Sequence, residues 1–436
     1  MQLPPLELGR TMAAALAHVA PGSVVTLRGH VHRRRDLATV TFLVLRDRTG
    51  LAQVVFEAGA AELPPEETPV EVIGTAAASD KAPSGMEVID ATVNALSDPA
   101  ETPPFDLWRP QLKVALPTLL DHAPLSWRHL RQRAKWQIGA ASLRGFRRAL
   151  DAQGFTEICT PKLVESATES GANVFPVDYF GKPAFLAQSP QFYKQQLVGA
   201  FERVYEVGPV FRAEPHDTAR HLAEYVSLDV ELGFIRDHRD VLDVLHLALE
   251  GMLDAIRADA AEAVDRLHLV LPTIPEQIPV IHFADALAMI GAAPDEPDLA
   301  PEHERALSGW ARDEFGSDVL AVEGYPLRKR PFYTHPWTRP PQAAGGWSNS
   351  FDLLFRGLEL VTGGQRLHRY DDYLTAIEQR GESPSSYSAY LEPFRHGMPP
   401  HGGFAIGLER WIAQLTNSAN LREATLFPRD LNRLSP

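Results

Sequence analysis

Apolar and polar residues alternate along five short segments near the start of the chain. These segments are residues 23–32, 38–47, 51–57, 69–75 and 85–91, and the turn signal Asp47-Arg-Thr-Gly50 follows the second of them. Alternation with a period of two is typical of strands that bury one face. Because five strands within about 80 residues leave no room for crossover helices, the pattern predicts a small β-barrel.

The pattern changes after Arg128, where apolar residues recur at helical spacing. The sequence predicts helices at 129–152, 238–258, 302–314, 370–380 and 407–416, and strands at 154–161, 203–212, 225–234 and 350–360. Because the strands come in runs without regular alternation with helices, we expect an antiparallel sheet flanked by helices. The predicted fold class is therefore α+β, with a barrel preceding the sheet.

A proline-rich stretch separates the two regions. Six prolines lie between residues 97 and 125, where the periodicity is weak, and such composition is typical of a linker. We therefore predict a barrel domain over residues 1–100, a hinge over 101–128 and a second domain over 129–436.

Composition and charge narrow the class of protein. The chain has 436 residues and a formal net charge of −14, from 56 acidic and 42 basic residues, which argues against a protein that coats nucleic acid with its whole surface. Its single cysteine, Cys159, excludes an internal disulfide framework and a cysteine-based zinc site. Because a single cysteine suits a reducing, intracellular setting, we expect a cytoplasmic protein. No apolar run approaches the roughly 20 residues of a membrane span, so we expect no membrane segment.

A basic cluster lies within the predicted barrel despite the acidic total. Residues 28–48 contain six arginines and only two acidic residues, Asp36 and Asp47. The arginines are Arg28, Arg33, Arg34, Arg35, Arg46 and Arg48. Such a run is either a solvated strand face or a local phosphate-contacting surface. An oligonucleotide-binding barrel has the size and strand count predicted here, which favours the second interpretation.

Arginines beside acidic residues and glycines recur in the second region. They occur in Phe211-Arg-Ala-Glu214, in Thr362-Gly-Gly-Gln-Arg366 and in Gly402-Gly-Phe-Ala-Ile-Gly-Leu-Glu-Arg410. Arginine binds phosphate or carboxylate with a planar fork, glycine lets the backbone approach a ligand, and acidic groups can hold Mg²⁺ that bridges phosphates. Either these segments form a site for a nucleoside triphosphate and a small acid, or they are surface ion pairs. The sequence contains no P-loop, His-Glu-x-x-His or Gly-x-Ser-x-Gly motif.

These segments resemble the class II aminoacyl-tRNA synthetases, and closely the archaeal-style aspartyl-tRNA synthetases. Residues 154–161 are similar to motif 1, residues 204–231 to motif 2 and residues 402–410 to motif 3. Ser189-Pro-Gln-Phe-Tyr-Lys194 and Gly363-Gly-Gln-Arg366 resemble the aspartate-binding segments of that family. Five segments in the same order, over nearly the whole chain, make the resemblance specific.

The resemblance implies an anticodon-reading barrel, a hinge and a dimerising catalytic domain built on a six-stranded antiparallel sheet. It implies that ATP and L-aspartate react with the help of Mg²⁺ to give aspartyl-adenylate, and that tRNA(Asp) then takes the aspartyl group. Catalysis of this kind depends on positioning and electrostatics, with no covalent nucleophile. The implied assembly is a homodimer.

The resemblance also assigns roles to individual residues. The implied catalytic residues are Arg212, Arg410 and Glu359, and Glu359 with Thr362 would bind Mg²⁺. Glu169, Gln191, Lys194, Arg212, Thr362 and Arg366 would bind aspartate. Arg212, Glu214, Arg220, His221, Leu222, Tyr225, Glu359, Gly407, Leu408, Glu409 and Arg410 would bind ATP. Since a buried ammonium needs an anion, Lys194 favours aspartate over asparagine as the substrate.

Two positions in the barrel bear on the choice of tRNA. Members strict for tRNA(Asp) carry tryptophan where His30 stands and lysine where Pro83 stands, so both residues resemble the relaxed branch that also charges tRNA(Asn). A smaller polar ring and a proline-shaped loop could admit cytosine as well as uracil at the third anticodon base. Arg28, Arg35 and Phe42 are the predicted anticodon-binding residues, through phosphate contact and base stacking.

Several alternatives stay open at this point. Within the same fold, the chain could be an asparaginyl-tRNA synthetase or an aspartyl enzyme strict for its own tRNA. An inactive paralogue that binds nucleic acid through the barrel is a further alternative, against which the intact Arg212, Glu359 and Arg410 speak. A tRNA-independent amide-forming ligase would lack the barrel predicted over residues 20–96.

Overall fold

The computed structural model describes residues 9–59, 62–82, 84–165, 173–339 and 346–436. The chain divides between Ala115 and Leu116 into two compact units, here called the barrel unit and the sheet unit. This division falls inside the stretch predicted as a hinge. Among the described residues, no helix has the length and apolar character that crossing a membrane requires.

The barrel unit forms the predicted five-stranded barrel. Its strands are β1 (Val24–Asp36), β2 (Val40–Arg46), β3 (Leu51–Glu57), β4 (Pro69–Ala78) and β5 (Met86–Ala95), and they close in the order β1-β2-β3-β5-β4. Alternate residues such as Val25, Leu27 and Val31 point into an apolar core. A short 3₁₀ helix, Ala14–His18, adds Leu16 to that core.

An eight-stranded sheet is the centre of the second unit. In sheet order its strands are β12 (Val280–His282), β13 (Val319–Glu323), β14 (Ser350–Phe355), β15 (Leu358–Gln365), β16 (His401–Gly407), β11 (Glu224–Gly233), β10 (Arg203–Phe211) and β6 (Thr156–Glu157). The expected six-stranded antiparallel sheet is therefore wrong in two respects. The sheet has two more strands, and the pairs at both edges, β12 with β13 and β6 with β10, are parallel. A small separate sheet contains β7 (Leu163–Val164), β8 (Pro176–Tyr179) and β9 (Lys182–Leu186).

One predicted strand is a hairpin instead. Residues 350–360 were expected to form a single strand, but β14 ends at Phe355 and β15 begins at Leu358. Arg356 and Gly357 turn the chain with φ values of 48° and 87°. Glycine adopts this left-handed region without strain, and the mostly apolar segments Phe351–Phe355 and Leu358–Val361 on either side hid the turn.

Helices cover the sheet, and five of them, α3, α5, α8, α9 and α11, lie where the periodicity predicted. They are α1 (Leu116–Asp121), α2 (Ala123–Ser126), α3 (Leu130–Ala152), α4 (Gln191–Phe201), α5 (His238–Asp259), α6 (Ala261–Leu267), α7 (Phe283–Ile290), α8 (Pro301–Phe315), α9 (Tyr370–Gln379), α10 (Ser388–Arg395) and α11 (Leu408–Leu415). Short 3₁₀ turns occur at Leu327–Lys329, Pro384–Tyr387 and Leu421–Glu423. Helices α3 and α5 pack so closely that a Cβ at Gly145 would lie 2.2 Å from the carbonyl oxygen of Gly251. Their apolar faces and the sheet share one large core.

Candidate active site

A cavity of about 540 Å³ opens on the sheet unit, a size typical of small-ligand sites. It gathers side chains from α4, from the ends of β10, β11, β15 and β16, and from the start of α11. The predicted residues that line it are Gln191, Lys194, Arg212, Glu214, Arg220, His221, Leu222, Tyr225, Glu359, Thr362, Arg366, Gly407, Glu409 and Arg410. Leu408 is fully buried and does not reach the cavity surface. Glu169 lies outside the described residues.

Lys194 lies at one end of the cavity with its ammonium group buried among protein acceptors. Its side chain is 2% exposed, and Nζ lies 2.9 Å from Asp229 Oδ1 and 3.4 Å from Glu231 Oε2. Nζ also donates to the carbonyl oxygens of Val230 and Phe404. The anion that a buried ammonium requires is therefore supplied within the protein, so burial of Lys194 alone does not choose between aspartate and asparagine.

Arg366 shares Glu231 with Lys194. Arg366 Nε donates to Glu231 Oε1 at 3.0 Å, and one Nη donates to the carbonyl oxygen of Gly403. Burial would raise the pKa of Glu231, but the charges of Arg366 and Lys194 outweigh it and hold that pKa below its usual value. Gly403 makes this arrangement possible, since a Cβ there would lie 2.2 Å from Glu231 Oε2.

A buried hydrogen-bond network that the sequence did not indicate lies behind Lys194 and Arg366. Gln195 Oε1 accepts from the hydroxyls of Tyr373 and Tyr390 at 3.0 and 2.8 Å, and lies 3.3 Å from His401 Nε2. Burial lowers the pKa of His401 to about 4, so its ring is neutral at pH 7. The network ties α4, α9, α10 and β16 together around the base of the cavity.

At another part of the cavity wall, a β-bulge brings Glu359 and Thr362 to the same face of β15. Leu353 pairs with Val361 and Leu354 with Glu359, so Leu360 is an extra residue in the strand. The bulge shifts the alternation by one residue, and Thr362 Oγ1 donates to Glu359 Oε1 at 3.1 Å. Arg410 joins them, with Nη1 3.0 Å from the carbonyl oxygen and 3.7 Å from the carboxylate of Glu359.

The donor set around Glu359 fits a cation that also binds phosphate. Burial and the neighbouring charge of Asp352 raise the pKa of Glu359, and a cation would relieve that repulsion. Among the described residues, no group of three or more His, Cys, Asp or Glu side chains could hold a metal ion unaided. Mg²⁺ in nucleotide sites takes one or two carboxylates and fills its remaining positions with phosphate oxygens and water, so Glu359 with Thr362 is an adequate protein contribution.

The loop after β10 carries the basic end of the cavity. Arg212 lies at its start and its backbone N–H donates to the carbonyl oxygen of Ala223. His221 Nδ1 lies 2.6 Å from Thr218 Oγ1, and burial, together with the positive charges of nearby groups, lowers the pKa of His221. Arg220 Nη1 lies 3.7 Å from the carboxylate of Glu304, whose pKa burial and Glu359 raise to about 7.

The chain's last residues hold this loop in place. Arg422 donates to the carboxylate of Asp217 at 2.8 Å and to the carbonyl oxygen of Thr218 at 3.1 Å. Arg422 also pairs with Asp430. No motif in the sequence linked residue 422 to residue 217, because the two are 205 positions apart.

Other residues that line the cavity were given no individual role in the sequence analysis. They include Ser189, His216, Ser227, Arg330, Tyr333, Thr334 and Ser350. Arg330 is nearly buried and donates to Asp352 at 2.9 Å, which places a cation beside the Glu359 group. The signal was a Lys329-Arg330-Pro-Phe-Tyr333 run inside a stretch that reads as a proline-rich loop.

In the barrel unit, four of the predicted RNA-facing residues lie on β1 and β2. Arg35 pairs with Phe42 in the β1–β2 ladder, and its guanidinium carbon lies 5.3 Å from the ring centroid. Arg28 donates to Glu71 at 2.7 Å. His30 pairs with Arg46 on β2 and with Pro69 on β4. Pro83 lies outside the described residues.

The basic run is not one exposed face. The guanidinium of Arg33 stacks 3.5 Å from the ring centroid of Trp108 and donates to Glu66, and Arg34 donates to Asp36. Arg46 is only 3% exposed and is paired inside the barrel unit. The expectation that all six arginines share a phosphate-tracking surface is therefore wrong for Arg46, because its charge is neutralised by Glu67.

Known families and proteins match both units. The family model described as tRNA synthetases class II (D, K and N) matches residues 116–431. A second model, described as an OB-fold nucleic acid binding domain, matches residues 25–94. Together they cover the sheet unit and the barrel.

Relatives and solved structures match over nearly the whole chain. An aspartate–tRNA(Asp/Asn) ligase from Thermus thermophilus is 45% identical, with 96% of this chain and 98% of that protein covered. The protein of the same name from Aeropyrum pernix is 40% identical over 95% of this chain and 96% of that protein. A crystal structure of asparaginyl-tRNA synthetase from Pyrococcus horikoshii with asparaginyl-adenylate matches with a TM-score of 0.87 and 29% identity, covering 95% and 97% of the two chains. On these matches and its cavity geometry, the chain belongs to the class II aminoacyl-tRNA synthetases of the aspartate, lysine and asparagine group.

Proposed function

We propose that this protein attaches L-aspartate to tRNA(Asp) and to tRNA(Asn) through an aspartyl-adenylate intermediate. The observation that carries the proposal is a single cavity with two ends. One end has the cations Lys194 and Arg366, and the other has Arg410 beside Glu359, with Arg212 also on the wall. The first end suits an acidic amino acid and the second suits the phosphates of ATP.

The amino acid end supports an acidic substrate through the positions of its two cations and not through its net charge, which is zero. Lys194 and Arg366 contribute two positive charges, and Asp229 and Glu231 contribute two negative charges. Aspartate carries one ammonium and two carboxylates, and its ammonium group would be bound by Gln191 and Glu169. Its side-chain carboxylate would be bound by Arg366 with Lys194, since a planar guanidinium pairs bidentately with carboxylate. An asparagine amide would bring a donor toward the same cations.

The ATP end supports activation by adenylate formation. Glu214 would accept from the adenine amino group, and Tyr225 would stack on the base. Arg220, His221 and Arg410 would hold the β- and γ-phosphates. Leu222, Gly407 and Glu409 would form the remaining wall of the ATP site, while Leu408 would support it from the core. Glu409 is held for this by the backbone N–H of Val226, and burial raises the pKa of Glu409 to about 7.

Mg²⁺ would accompany ATP at Glu359 and Thr362. When bound there, the ion neutralises phosphate charge and orients the triphosphate. The protein's own part is to hold the two oxygens on one face of β15 through the bulge at Leu360. Arg410 and Arg330 lower the cost of keeping Glu359 ionised, since both place positive charge near its carboxylate.

The proposed reaction has two steps. The first is a substitution at the α-phosphorus of ATP, and the second is an acyl transfer at the carbonyl carbon of the adenylate. An oxygen of the aspartate α-carboxylate attacks the α-phosphorus, the new P–O bond forms, and pyrophosphate leaves with the electrons of the broken bond. The 3′-terminal adenosine hydroxyl of the tRNA then attacks the activated carbonyl carbon, loses its proton, and AMP leaves. Arg212 would stabilise the charge that builds on the α-phosphoryl oxygens, and preorganised donors of this kind contribute several kcal/mol, roughly 3 kcal/mol each.

The relatives support the relaxed choice of tRNA. Proteins named aspartate–tRNA(Asp/Asn) ligase are 45% identical in Thermus thermophilus and Deinococcus radiodurans. His30 and Pro83 are the residues expected at these positions in such enzymes. Arg28, Arg35 and Phe42 would hold the anticodon nucleotides. The acidic remainder of the protein would direct the anionic tRNA toward this basic face.

We also propose a cytoplasmic homodimer. The segment that resembles motif 1 ends at Pro161, near the exposed Cys159. The small β7–β9–β8 sheet beside it exposes Leu163, Tyr179 and Phe180, the last of them 91% exposed. The resemblance of residues 154–161 to motif 1 supports the homodimer, and sedimentation of the full chain would measure the assembly.

The decisive experiment charges purified transcripts of tRNA(Asp) and tRNA(Asn) with labelled aspartate and, separately, with labelled asparagine. We expect comparable aspartylation of both transcripts and no asparaginylation. Asparagine on either tRNA would establish the asparaginyl alternative, and aspartate on tRNA(Asp) alone would establish the strict enzyme. Absence of aspartate-dependent pyrophosphate–ATP exchange would overturn the proposal in favour of an inactive paralogue.

A further inference from the structure

The last five residues of β1, which include Arg35, are all polar. No apolar side chain there determines which face of the strand points to the core. β1 finishes as His32-Arg33-Arg34-Arg35-Asp36. A shift of one residue moves every side chain of a strand to its opposite face, and register is weakly specified where both faces are polar. The local sequence therefore leaves open which arginine faces Phe42.

A β-bulge at His32 settles that choice in the structure. Val31 pairs with Leu45 and Arg33 with Val44, so His32 is an extra residue in β1. With the bulge, Arg35 pairs with Phe42. In a regular ladder without it, His32 would pair with Val44 and Arg34 would stand opposite Phe42. The bulge thus selects Arg35 over Arg34.

A buried cluster surrounds the bulged residue. Arg46 donates to both carboxylate oxygens of Glu67 at 2.8 Å, and it donates to His32 Nδ1 at 3.0 Å. The side chains of Arg46 and Glu67 are only 4% and 3% exposed. The backbone N–H of Glu67 donates to the carbonyl oxygen of Val31, directly before the bulge, and Glu67 has a φ of 69°.

Burying the Arg46–Glu67 ion pair carries a large desolvation cost, so stability alone does not explain its presence. Removing two charges from water offsets most of their attraction, and apolar replacements of similar volume are often as stable. The best-attested use of a buried polar pair is to specify register. The strained backbone at Glu67 is a second sign that the position is fixed by its surroundings.

We propose that the cluster of His32, Arg46 and Glu67 fixes the register of β1 and so positions Arg35 beside Phe42 for RNA. The three are positioning residues, since they act through Arg35 and β1. The inference rests on the proposed tRNA-charging function. It predicts that charging can be impaired without loss of fold or of aspartate activation.

The test replaces the pair by apolar residues in the full-length protein. We expect the double variant R46M/E67M to keep a melting temperature equal to or above that of the wild type and to keep wild-type aspartate-dependent pyrophosphate–ATP exchange. We expect its KM for the tRNA(Asp) transcript to rise about tenfold or more. The matched control R109M/D106M alters an exposed ion pair of the same unit, and its KM for tRNA should stay at the wild-type value.

Removal of His32 separates a register role from a merely structural one. Without the extra residue, a regular ladder again places Arg33 opposite Val44 and Arg35 opposite Phe42. Deleting His32 in the R46M/E67M background should therefore restore the KM for tRNA to within about threefold of wild type. If R46M/E67M melts early, Arg46→Lys takes its place, since lysine keeps the charge but lacks the bidentate fork.

Two results would overturn the inference, namely a wild-type KM for tRNA in the folded variant or a raised KM that deletion of His32 leaves unchanged. Both differ from failure of the proposed function, in which the wild type itself would charge neither transcript. A raised KM that the deletion rescues, with exchange unchanged throughout, supports the register role.

Discussion

In both units, a bulged strand decides which polar side chains share a face, but the two bulges are fixed by different means. In the sheet unit the extra residue is Leu360, and the bulge brings Glu359 and Thr362 together on β15. Leu358, Leu360 and Val361 around it are buried in the apolar interior. In the barrel unit the extra residue is His32, and only polar residues follow it on β1.

This difference shows how the hydrophobic pattern can fix one register and leave the other open. In β15, a slip of one residue would expose buried leucine and valine to water, at roughly 2 kcal/mol for each side chain. In β1, a slip after His32 exchanges one arginine for another at no such cost. The barrel therefore relies on the buried contact between Arg46 and Glu67. We therefore expect substitutions near the β15 bulge to reduce adenylate formation strongly. Substitutions near the β1 bulge should change tRNA binding selectively.

The largest effect is expected from Glu359→Gln. This change removes the carboxylate charge at the phosphate end of the cavity while keeping its shape. We expect aspartate-dependent pyrophosphate–ATP exchange to fall about 10³-fold, the scale of losing one preorganised group that stabilises transition-state charge. Glu157→Gln, in an exposed pair with Arg147 on the same unit, is the control and should retain exchange. If Glu359→Gln retained exchange, the Glu359 carboxylate that the bulge at Leu360 positions would not contribute to adenylate formation.

The sequence could predict the parts of this molecule in which one residue pattern determines the structure. The five barrel strands and helices such as α5 and α8 could be predicted from the spacing of apolar residues alone. The hairpin at Arg356-Gly357 was not predicted, because the mostly apolar segments on both sides of it resemble one long strand. Both bulges were also invisible, because an extra residue leaves no mark in composition.

Within the site, motif residues were easier to predict than their partners. Lys194 and Arg366 could be named from short segments, whereas the sharing of Glu231 between them depends on three strands meeting at Gly403. The link from Arg422 to Asp217 joins positions far apart in the chain. Long-range pairing of this kind is a property of the fold and not of any window of sequence.

The second effect concerns acid stability, and it tests a buried carboxylate of the sheet unit, as R46M/E67M tests the buried pair of the barrel unit. Burial would raise the pKa of Glu323, but hydrogen bonds from His238 and Arg239 outweigh it and lower the pKa from 4.5 to about 2. A carboxyl whose pKa is lowered on folding stabilises the protein above pH 4.5, and this stability is lost as the pH falls toward 2. The shift corresponds to stability on the order of 3 kcal/mol, about 10²-fold in the unfolding equilibrium.

Glu323→Gln should therefore lower the urea midpoint most at neutral pH, with a difference from wild type that shrinks between pH 4.5 and pH 2. Tryptophan fluorescence can follow the sheet unit, because six of the seven tryptophans lie after residue 115. Arg257 and Asp254 form an exposed pair in the same unit, so Asp254→Asn provides the comparison. An equal loss at every pH would contradict the assigned role of the Glu323 charge.

The third effect compares two neighbouring arginines on opposite faces of β1. Arg35 lies beside Phe42 and donates to Gln53, whereas Arg34 donates to Asp36 and to the carbonyl oxygen of Leu63. Arg35→Ala should raise the KM for tRNA about tenfold and reduce the dependence of log KM on log salt by about one unit, as expected for one lost phosphate contact. Arg34→Ala should change neither quantity by more than about twofold. The reverse order would mean that the bulge presents the other face to RNA.

The smallest effect, and the most specific, is expected from His30→Trp. His30 precedes the bulge, so its place between Arg46 and Pro69 is fixed by the regular part of the ladder. A larger indole would narrow the space for the third anticodon base and favour cytosine over uracil, so charging of tRNA(Asn) should fall a few-fold more than charging of tRNA(Asp). His30→Gln keeps a small polar side chain and should preserve the wild-type ratio, while exchange stays constant in both variants. Equal loss on the two transcripts would show that His30 contributes to binding in general, and selectivity would then have to arise elsewhere on the barrel.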